Sequence, residues 1–145
     1  PLRSEHDRVS LINGIKQNLI DVIVSDHVPE DEESKRLPFA QAAQGAIGVE
    51  TLFPLSLELY HNKSLPLNKI IEVLTINPAK ILKINKGSLK KGMSADICIF
   101  DLEKPWVVKA DKLKSKSKNT AIENRKLQGK ILMTFLNGEL LYSQS

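Results

Sequence analysis

Asp21-Val22-Ile23-Val24-Ser25-Asp26-His27-Val28-Pro29-Glu30 is the stretch that decides how this chain is read. Ile20, Val22, Ile23 and Val24 predict a strand apolar on both faces, which suits a parallel sheet covered by helices. Asp26 and His27 then arrive together at its C-terminal end, followed by a loop opened by Pro29. In parallel α/β folds that end is where loops converge on one mouth and where reactive groups collect. An Asp-His pair in isolation is as readily a turn cap beside a satisfied polar neighbour, so its meaning depends on what surrounds it.

Upstream, Ser4 is an N-cap candidate with Asp7 at the third helical position, as in a capping box. Val9, Leu11, Ile12 and Ile15 give a short apolar face and predict a helix to about Gln17. His6 falls in its first turn, on the surface. Downstream, Glu30-Asp31-Glu32-Glu33 is an acidic run beside Lys35 and Arg36 without calcium-loop spacing, hence a solvated loop or helix start. Gly45 and Gly48 bracket a segment suited to close approach of backbone to another group.

From Thr51 to Tyr60 the residues are apolar nearly all round, which predicts a buried helix starting between Thr51 and Phe53, because Pro54 is tolerated only in a first turn. Leu67, Ile70, Ile71 and Leu74 mark the face of the next helix, and Asn77-Pro78 reads as N-cap and first residue of another. His61 lies in the connector, exposed. At Gly87 the pattern turns from helical to extended, placing a boundary between residues 1–86 and 87–145. Ile97 to Phe100 and Trp106 to Val108 are predicted strands. Lys130 to Leu136, Asn137-Gly138 and Glu139 to Tyr142 predict a hairpin on a type I′ turn.

The composition bounds the function. The 145 residues suffice for one ordinary domain, and the net charge of +4 is mild for a chain in which 26% of residues are charged. Five lysines fall between Lys109 and Lys118, but only Trp106 lies near them and no recognition motif is present, so a solvated loop is preferred to a nucleic-acid patch. No run approaches the roughly 18 apolar residues of a membrane span, and no signal peptide opens the chain. Cys98 excludes an internal disulfide and is expected in the core of a protein from a reducing, cytoplasmic compartment.

Several runs, in order, resemble the closing part of the dihydroorotases of the amidohydrolase superfamily. They are the Asp26-His27 strand end, Leu37-Pro38-Phe39-Ala40, Ala42-Ala43-Gln44-Gly45-Ala46-Ile47-Gly48-Val49-Glu50-Thr51 and Leu74 to Leu82. Gly87-Ser88-Leu89-Lys90-Lys91-Gly92-Met93-Ser94-Ala95-Asp96-Ile97 and Ser115-Lys116-Ser117-Lys118-Asn119-Thr120 follow. Pro1-Leu2-Arg3 resembles the end of an Asn-Pro-Pro-Leu-Arg run in that family. The resemblance implies an α/β fold: residues 1–86 as the C-terminal part of a TIM-type (β/α)8 amidohydrolase barrel, and 87–145 as the last strands of a small β-sandwich. It further implies that the chain is a C-terminal fragment.

The activity implied is the opening of dihydroorotate to N-carbamoyl-aspartate, or its reverse, in pyrimidine biosynthesis. Zinc is the implied cofactor of the complete enzyme, and none is expected on this chain alone, because the His-x-His pair and other ligands are missing. Asp26 matches the catalytic aspartate and a metal ligand. Gln44 and Gly45 match backbone that lies against substrate. Glu30 stands where the family has a substrate-contacting histidine, and an ionised Glu there would repel the carboxylate of dihydroorotate. The implied partners are the remainder of the barrel, a second copy of the chain or an aspartate carbamoyltransferase, with neither nucleic acid nor membrane. Two other readings stay open: a non-catalytic assembly partner of that transferase, and a hydantoinase- or allantoinase-type hydrolase. Ser115 to Thr120 leans toward dihydroorotase, although Ala121-Ile122 replaces the usual Pro-Phe.

Overall fold

The computed structural model describes residues 3–144, so Pro1 and Leu2 of the Pro-Leu-Arg match lie outside the described residues. Five helices come first: α1 (Glu5–Lys16), α2 (Glu32–Arg36), α3 (Leu52–His61), α4 (Leu67–Leu74) and α5 (Ile76–Ile81). Strands β1 (Ile97–Val107), β2 (Lys126–Leu136) and β3 (Glu139–Ser143) follow, and a short 3-10 turn at Ala110–Lys112 lies between β1 and β2. The strands form one antiparallel sheet in the order β1-β2-β3.

α1 forms where the capping box predicts it. The Ser4 hydroxyl accepts from the Asp7 N–H at 3.2 Å, and the Asp7 carboxylate accepts from the Ser4 N–H at 3.2 Å. Its Ile12 and Ile15 join Leu65, Ile70 and Val73 in a first apolar cluster. Ile70 and Val73 of α4 are wholly buried, whereas Leu67, Ile71 and Leu74 are half-buried, so the inward face of α4 is turned from the expected one. α3 begins at Leu52 and places the buried Pro54 in its first turn, where an N–H has no intrahelical partner anyway.

The predicted strand at 20–24 does not form. Among the described residues no strand lies beside it, so its backbone gains no ladder; Ile23 N–H donates to the Val73 carbonyl at 3.3 Å instead. Ile20 and Ile23 pack on the first cluster, while Val24 on the other side is 71% exposed. Asn77 is also not an N-cap. α5 starts one residue earlier, and the Asn77 amide donates to the Asp21 carbonyl at 3.0 Å, tying down the same unladdered segment.

The two predicted strands around residue 100 are one strand with a break. Asp101 Oδ1 accepts from the Glu103 and Lys104 N–H groups at 2.8 and 3.1 Å, and the register against β2 slips between Asp101 and Pro105. A Pro at such a bulge removes no ladder bond. Cys98 is exposed rather than in the core, along with Ile97 and Ile99, because no further layer covers this end of the edge strand among the described residues. His61 departs as well. It is half-buried, with Nε2 enclosed and unpartnered among the described residues.

The hairpin holds as predicted, with Asn137 and Gly138 at φ 52° and 86°. Its turn is tied to the segment before β1. Asp96 Oδ1 accepts from the Asn137 N–H at 2.9 Å, Gly138 N–H donates to the Ala95 carbonyl at 3.0 Å, and Lys86 pairs with Asp96.

A second cluster of Ile47, Val108, Leu113 and Leu127, with Leu55, Trp106 and Ile122 against it, crosses residue 87 and joins helices to strands. α3 serves both clusters, Leu59 and Tyr60 packing on the first and Leu55 on the second. Arg125 fastens the strands to α3 through both oxygens of Glu58, at 2.9 and 2.7 Å.

Two outcomes follow from this packing. Gly129 has φ 97°, and a Cβ there would overlap Leu57 Cδ1 in the middle of the contact between α3 and β2. Gly129→Ala should cost about 2–4 kcal/mol of stability, from positive-φ strain plus overpacking. Gly92→Ala, at φ 88° with open space around it, should cost only about 1 kcal/mol. Urea unfolding of both variants checks this, and equal losses would contradict it. Second, the bond from Lys86, then those from the Asn137 N–H and Ser94, hold the Asp96 carboxyl well below its usual 3.8, at about 2. A depressed folded value means a contribution present above the unfolded value and lost as pH falls through about 2. Lys86→Ala should move the Asp96 titration upward in side-chain carboxyl NMR; an unmoved titration would show that Lys86 is not the cause.

Candidate active site

Asp26 follows the extended segment and has φ 44°, a left-handed conformation that Asp tolerates better than most residues. Its exposed side chain lines a concavity of about 620 Å³ together with Val24, Gly45, Gly48, Leu52 and Leu55. The walls are mostly apolar, and Asp26 is the carboxylate among the lining residues.

Asp26 is held by what surrounds it. His27 pairs with Ala46 in a parallel bridge, and Val28 N–H donates to the Ala46 carbonyl at 2.9 Å. His27 Nδ1 accepts from the Gly48 N–H at 3.1 Å and more weakly from the Val49 N–H at 3.4 Å. That assigns the neutral ring with its proton on Nε2 and gives His27 a positioning role. Both glycines are required by close approach. A Cβ on Gly48 would lie 2.8 Å from the Ser25 carbonyl oxygen, and one on Gly45, at φ 118°, would lie 2.5 Å from Val28 Cγ1.

The other expected site residues divide. Gly45 shares the concavity with Asp26, whereas Gln44 is exposed and lines none of the concavities described here. Glu30 is half-buried and lines a separate concavity of about 600 Å³ with Pro29, Lys35, Lys116 and Asn119. The Glu30 main chain is anchored from a distance in sequence. Its N–H donates to Asn119 Oδ1 at 3.3 Å, and its carbonyl accepts from the Ser117 hydroxyl.

Sequence reasoning missed Lys35, Glu50 and Asn119. Lys35 Nζ donates to the Ala43 and Gly45 carbonyls at 2.7 and 3.0 Å. Glu50 accepts from the Lys114 and Ser115 N–H groups, both at 3.0 Å. Asn119 Nδ2 donates to the Val28 carbonyl at 3.1 Å and the Gly45 carbonyl at 3.4 Å. The lysine-rich loop therefore exposes its five lysine residues, while the Lys114 and Ser115 N–H groups and the Ser117 and Asn119 side chains bond to Glu50 and to the loops around the site. The signal was the Ser and Asn between the lysines, residue types that bond backbone readily.

For zinc, the residues present do not fit. Asp26 is one carboxylate, and no three His, Cys, Asp or Glu side chains come together among the described residues. A zinc site needs several convergent ligands.

Residues 2–141 match the amidohydrolase family, and the chain belongs to it. It is similar to the dihydroorotase of Ehrlichia chaffeensis, 48% identical over 142 residues, covering 98% of this chain and 32% of that protein. It is likewise similar to the dihydroorotase of Aquifex aeolicus, 42% identical over 98% of this chain and 33% of the relative. The chain thus spans about a third of the length of the relatives it matches. Among solved structures, an L-hydantoinase (dihydropyrimidinase) from Arthrobacter aurescens superposes with a TM-score of 0.90 at 30% identity, over 99% of this chain and 33% of its own. A dihydropyrimidinase from Brevibacillus agri superposes at 0.92 with 20% identity, which speaks for the fold alone. The fold class is that of the amidohydrolase barrel proteins, of which the chain spans about a third.

The bonds at His27 carry an expected outcome. His27→Ala should leave the half-buried Gly48 N–H without its acceptor, at a cost of about 1–3 kcal/mol. Urea unfolding measures this, and a loss within error of zero would show that the imidazole does not organise the strand end.

Proposed function

We propose that this chain serves a dihydroorotase, hydrolysing dihydroorotate to N-carbamoyl-aspartate or running the reverse condensation in pyrimidine biosynthesis. The observation that carries this reading is Asp26 held at the mouth of the apolar concavity, within a chain whose full length is similar to dihydroorotases at 38–48% identity. In this reading residues 1–86 contribute to the barrel and 87–145 to the β-sandwich. The remainder of the barrel supplies the other ligands.

The chemistry asked of Asp26 is proton transfer. Water adds to the ring carbonyl carbon, the carbon–nitrogen bond breaks, and the leaving nitrogen gains a proton. One carboxylate takes the proton from water and delivers it to nitrogen if it is fixed beside both. The His27, Gly45 and Gly48 contacts supply that fixity to the backbone that carries Asp26. Zinc, which family membership implies, would be held in the complete protein by ligands from the remainder of the barrel and would supply an activated water there. Asp26 is the one ligand this chain offers it. Gln44 and Gly45 are the backbone positions set against substrate.

Glu30 favours a second reading, a non-catalytic partner in assembly with an aspartate carbamoyltransferase or a second copy of the chain. An ionised Glu near the substrate carboxylate costs roughly 1 kcal/mol in water and ~4 kcal/mol at an effective dielectric of ~20. The separate concavity that Glu30 lines lessens this objection. The hydantoinase-type reading rests on structural neighbours at 19–30% identity, below the dihydroorotase relatives. Among the described residues no helix is long and apolar enough to cross a membrane. The cytoplasm is proposed as the compartment on the resemblance to dihydroorotases alone.

The test uses the complete protein carrying this chain, loaded with zinc. Asp26→Asn should abolish turnover of dihydroorotate, and Glu30→His should lower KM about tenfold, or about 1.4 kcal/mol. Unchanged KM with better turnover of a neutral cyclic amide would move the assignment to the hydantoinase class. Bound zinc with no turnover of either substrate would favour the assembly role.

A further inference from the structure

We propose that Asn119 is a positioning residue that clamps the loop after Asp26 to the Gly45 loop and, together with the main-chain bonds there, holds in place the Gly45 edge of the concavity that Asp26 lines. This rests on the dihydroorotase reading for its catalytic consequence but not for its geometry.

Three backbone groups from two loops converge on Asn119. Its Nδ2 donates to the Val28 carbonyl at 3.1 Å and, more weakly, to the Gly45 carbonyl at 3.4 Å, and its Oδ1 accepts from the Glu30 N–H at 3.3 Å. Val28 lies two residues after Asp26. Gly45 is the position whose backbone faces substrate in this reading. The clamp is doubled by the main chain, since Ile47 N–H donates to the Asn119 carbonyl at 3.3 Å and Ile47 pairs with Thr120 in a parallel bridge.

The clamp is itself held. Glu50 fixes the start of the same loop through the Lys114 and Ser115 N–H groups, and the Ser117 hydroxyl ties the loop to the Glu30 carbonyl. The Gly45 carbonyl also accepts from Lys35 Nζ at 3.0 Å.

Side-chain chemistry makes the residue type specific. A primary amide on a short stem offers two donors and an acceptor in one plane. An aspartate keeps the size and loses both donors, setting carboxylate oxygen against two carbonyl oxygens. An alanine loses everything. Neither change touches Asp26 directly, so any effect on the reaction arises through the loops.

The experiment uses the complete protein, with Asn119→Ala and Asn119→Asp compared by amide hydrogen exchange and steady-state kinetics. Exchange across residues 28–47 should quicken at least tenfold in both variants, with α4 and the β2–β3 hairpin unchanged. KM for dihydroorotate should rise about fivefold or more, and Asn119→Asp should be no better than Asn119→Ala. A merely structural role would quicken exchange everywhere and lower activity in proportion to the folded fraction at unchanged KM; that result overturns the proposal. So do wild-type exchange rates across 28–47. If the wild-type protein fails to turn over dihydroorotate, the functional reading falls and exchange alone decides the clamp. Acceleration confined to 28–47 supports it, and its absence refutes it.

Discussion

The segment from Ile20 to His27 runs with no strand beside it until the bridge at His27, and the arrangement of the site depends on how it is nevertheless held in place. Backbone groups without a ladder need other partners, and here two are found singly. The Val73 carbonyl takes the Ile23 N–H, and the Asn77 amide reaches the Asp21 carbonyl. Ile20 and Ile23 anchor one side in the first apolar cluster. The last contact is steric, since Gly48 lets a second backbone pass against the Ser25 carbonyl. Asp26 projects from the end of a segment fixed at several separate points.

α3 connects this segment to everything after it. Its N-terminal half packs on the cluster built by Val108, Leu113 and Leu127, and its C-terminal half on the cluster built by α1 and α4. Leu57 between them is wholly buried, against the one place where β2 has no side chain, Gly129. Strands and site are thus coupled through one short helix. Displacing β2 would press on the same helix whose first turn, through Leu52 and Leu55, walls the concavity beside Asp26.

Charge plays a local part. The exposed ion pairs on α1 and α2 sit within single helices and contribute little to the tertiary arrangement. Apart from the Arg125–Glu58 pair, the charged groups that organise the structure bond to backbone: Glu50 to the lysine loop, Lys35 to the Gly45 loop, Asp96 to the hairpin turn. In each case a side chain satisfies main-chain groups that neither helix nor sheet provides for.

Much of this was legible in the residues alone. The Ser4 capping box, Pro54 in a first turn and the Asn137-Gly138 hairpin all rest on short-range rules, in which cause and effect lie within a few residues. The family was legible for a related reason, since its motifs recur in order along nearly the whole chain. The strand at 20–24, the exposure of Cys98 and the face of α4 were not, because each depends on what lies alongside. A run of β-branched residues becomes a strand only when another strand offers its backbone, and none does so here. Asn77 was drawn from its capping position by a carbonyl 56 residues earlier in the chain. Asn119 reaches 74 and 91 residues back to Gly45 and Val28. Sequence by itself determined the local elements and the family; only the tertiary structure decided which loops meet at Asp26, because hydrogen bonds over such separations leave no periodic trace in the residues that make them.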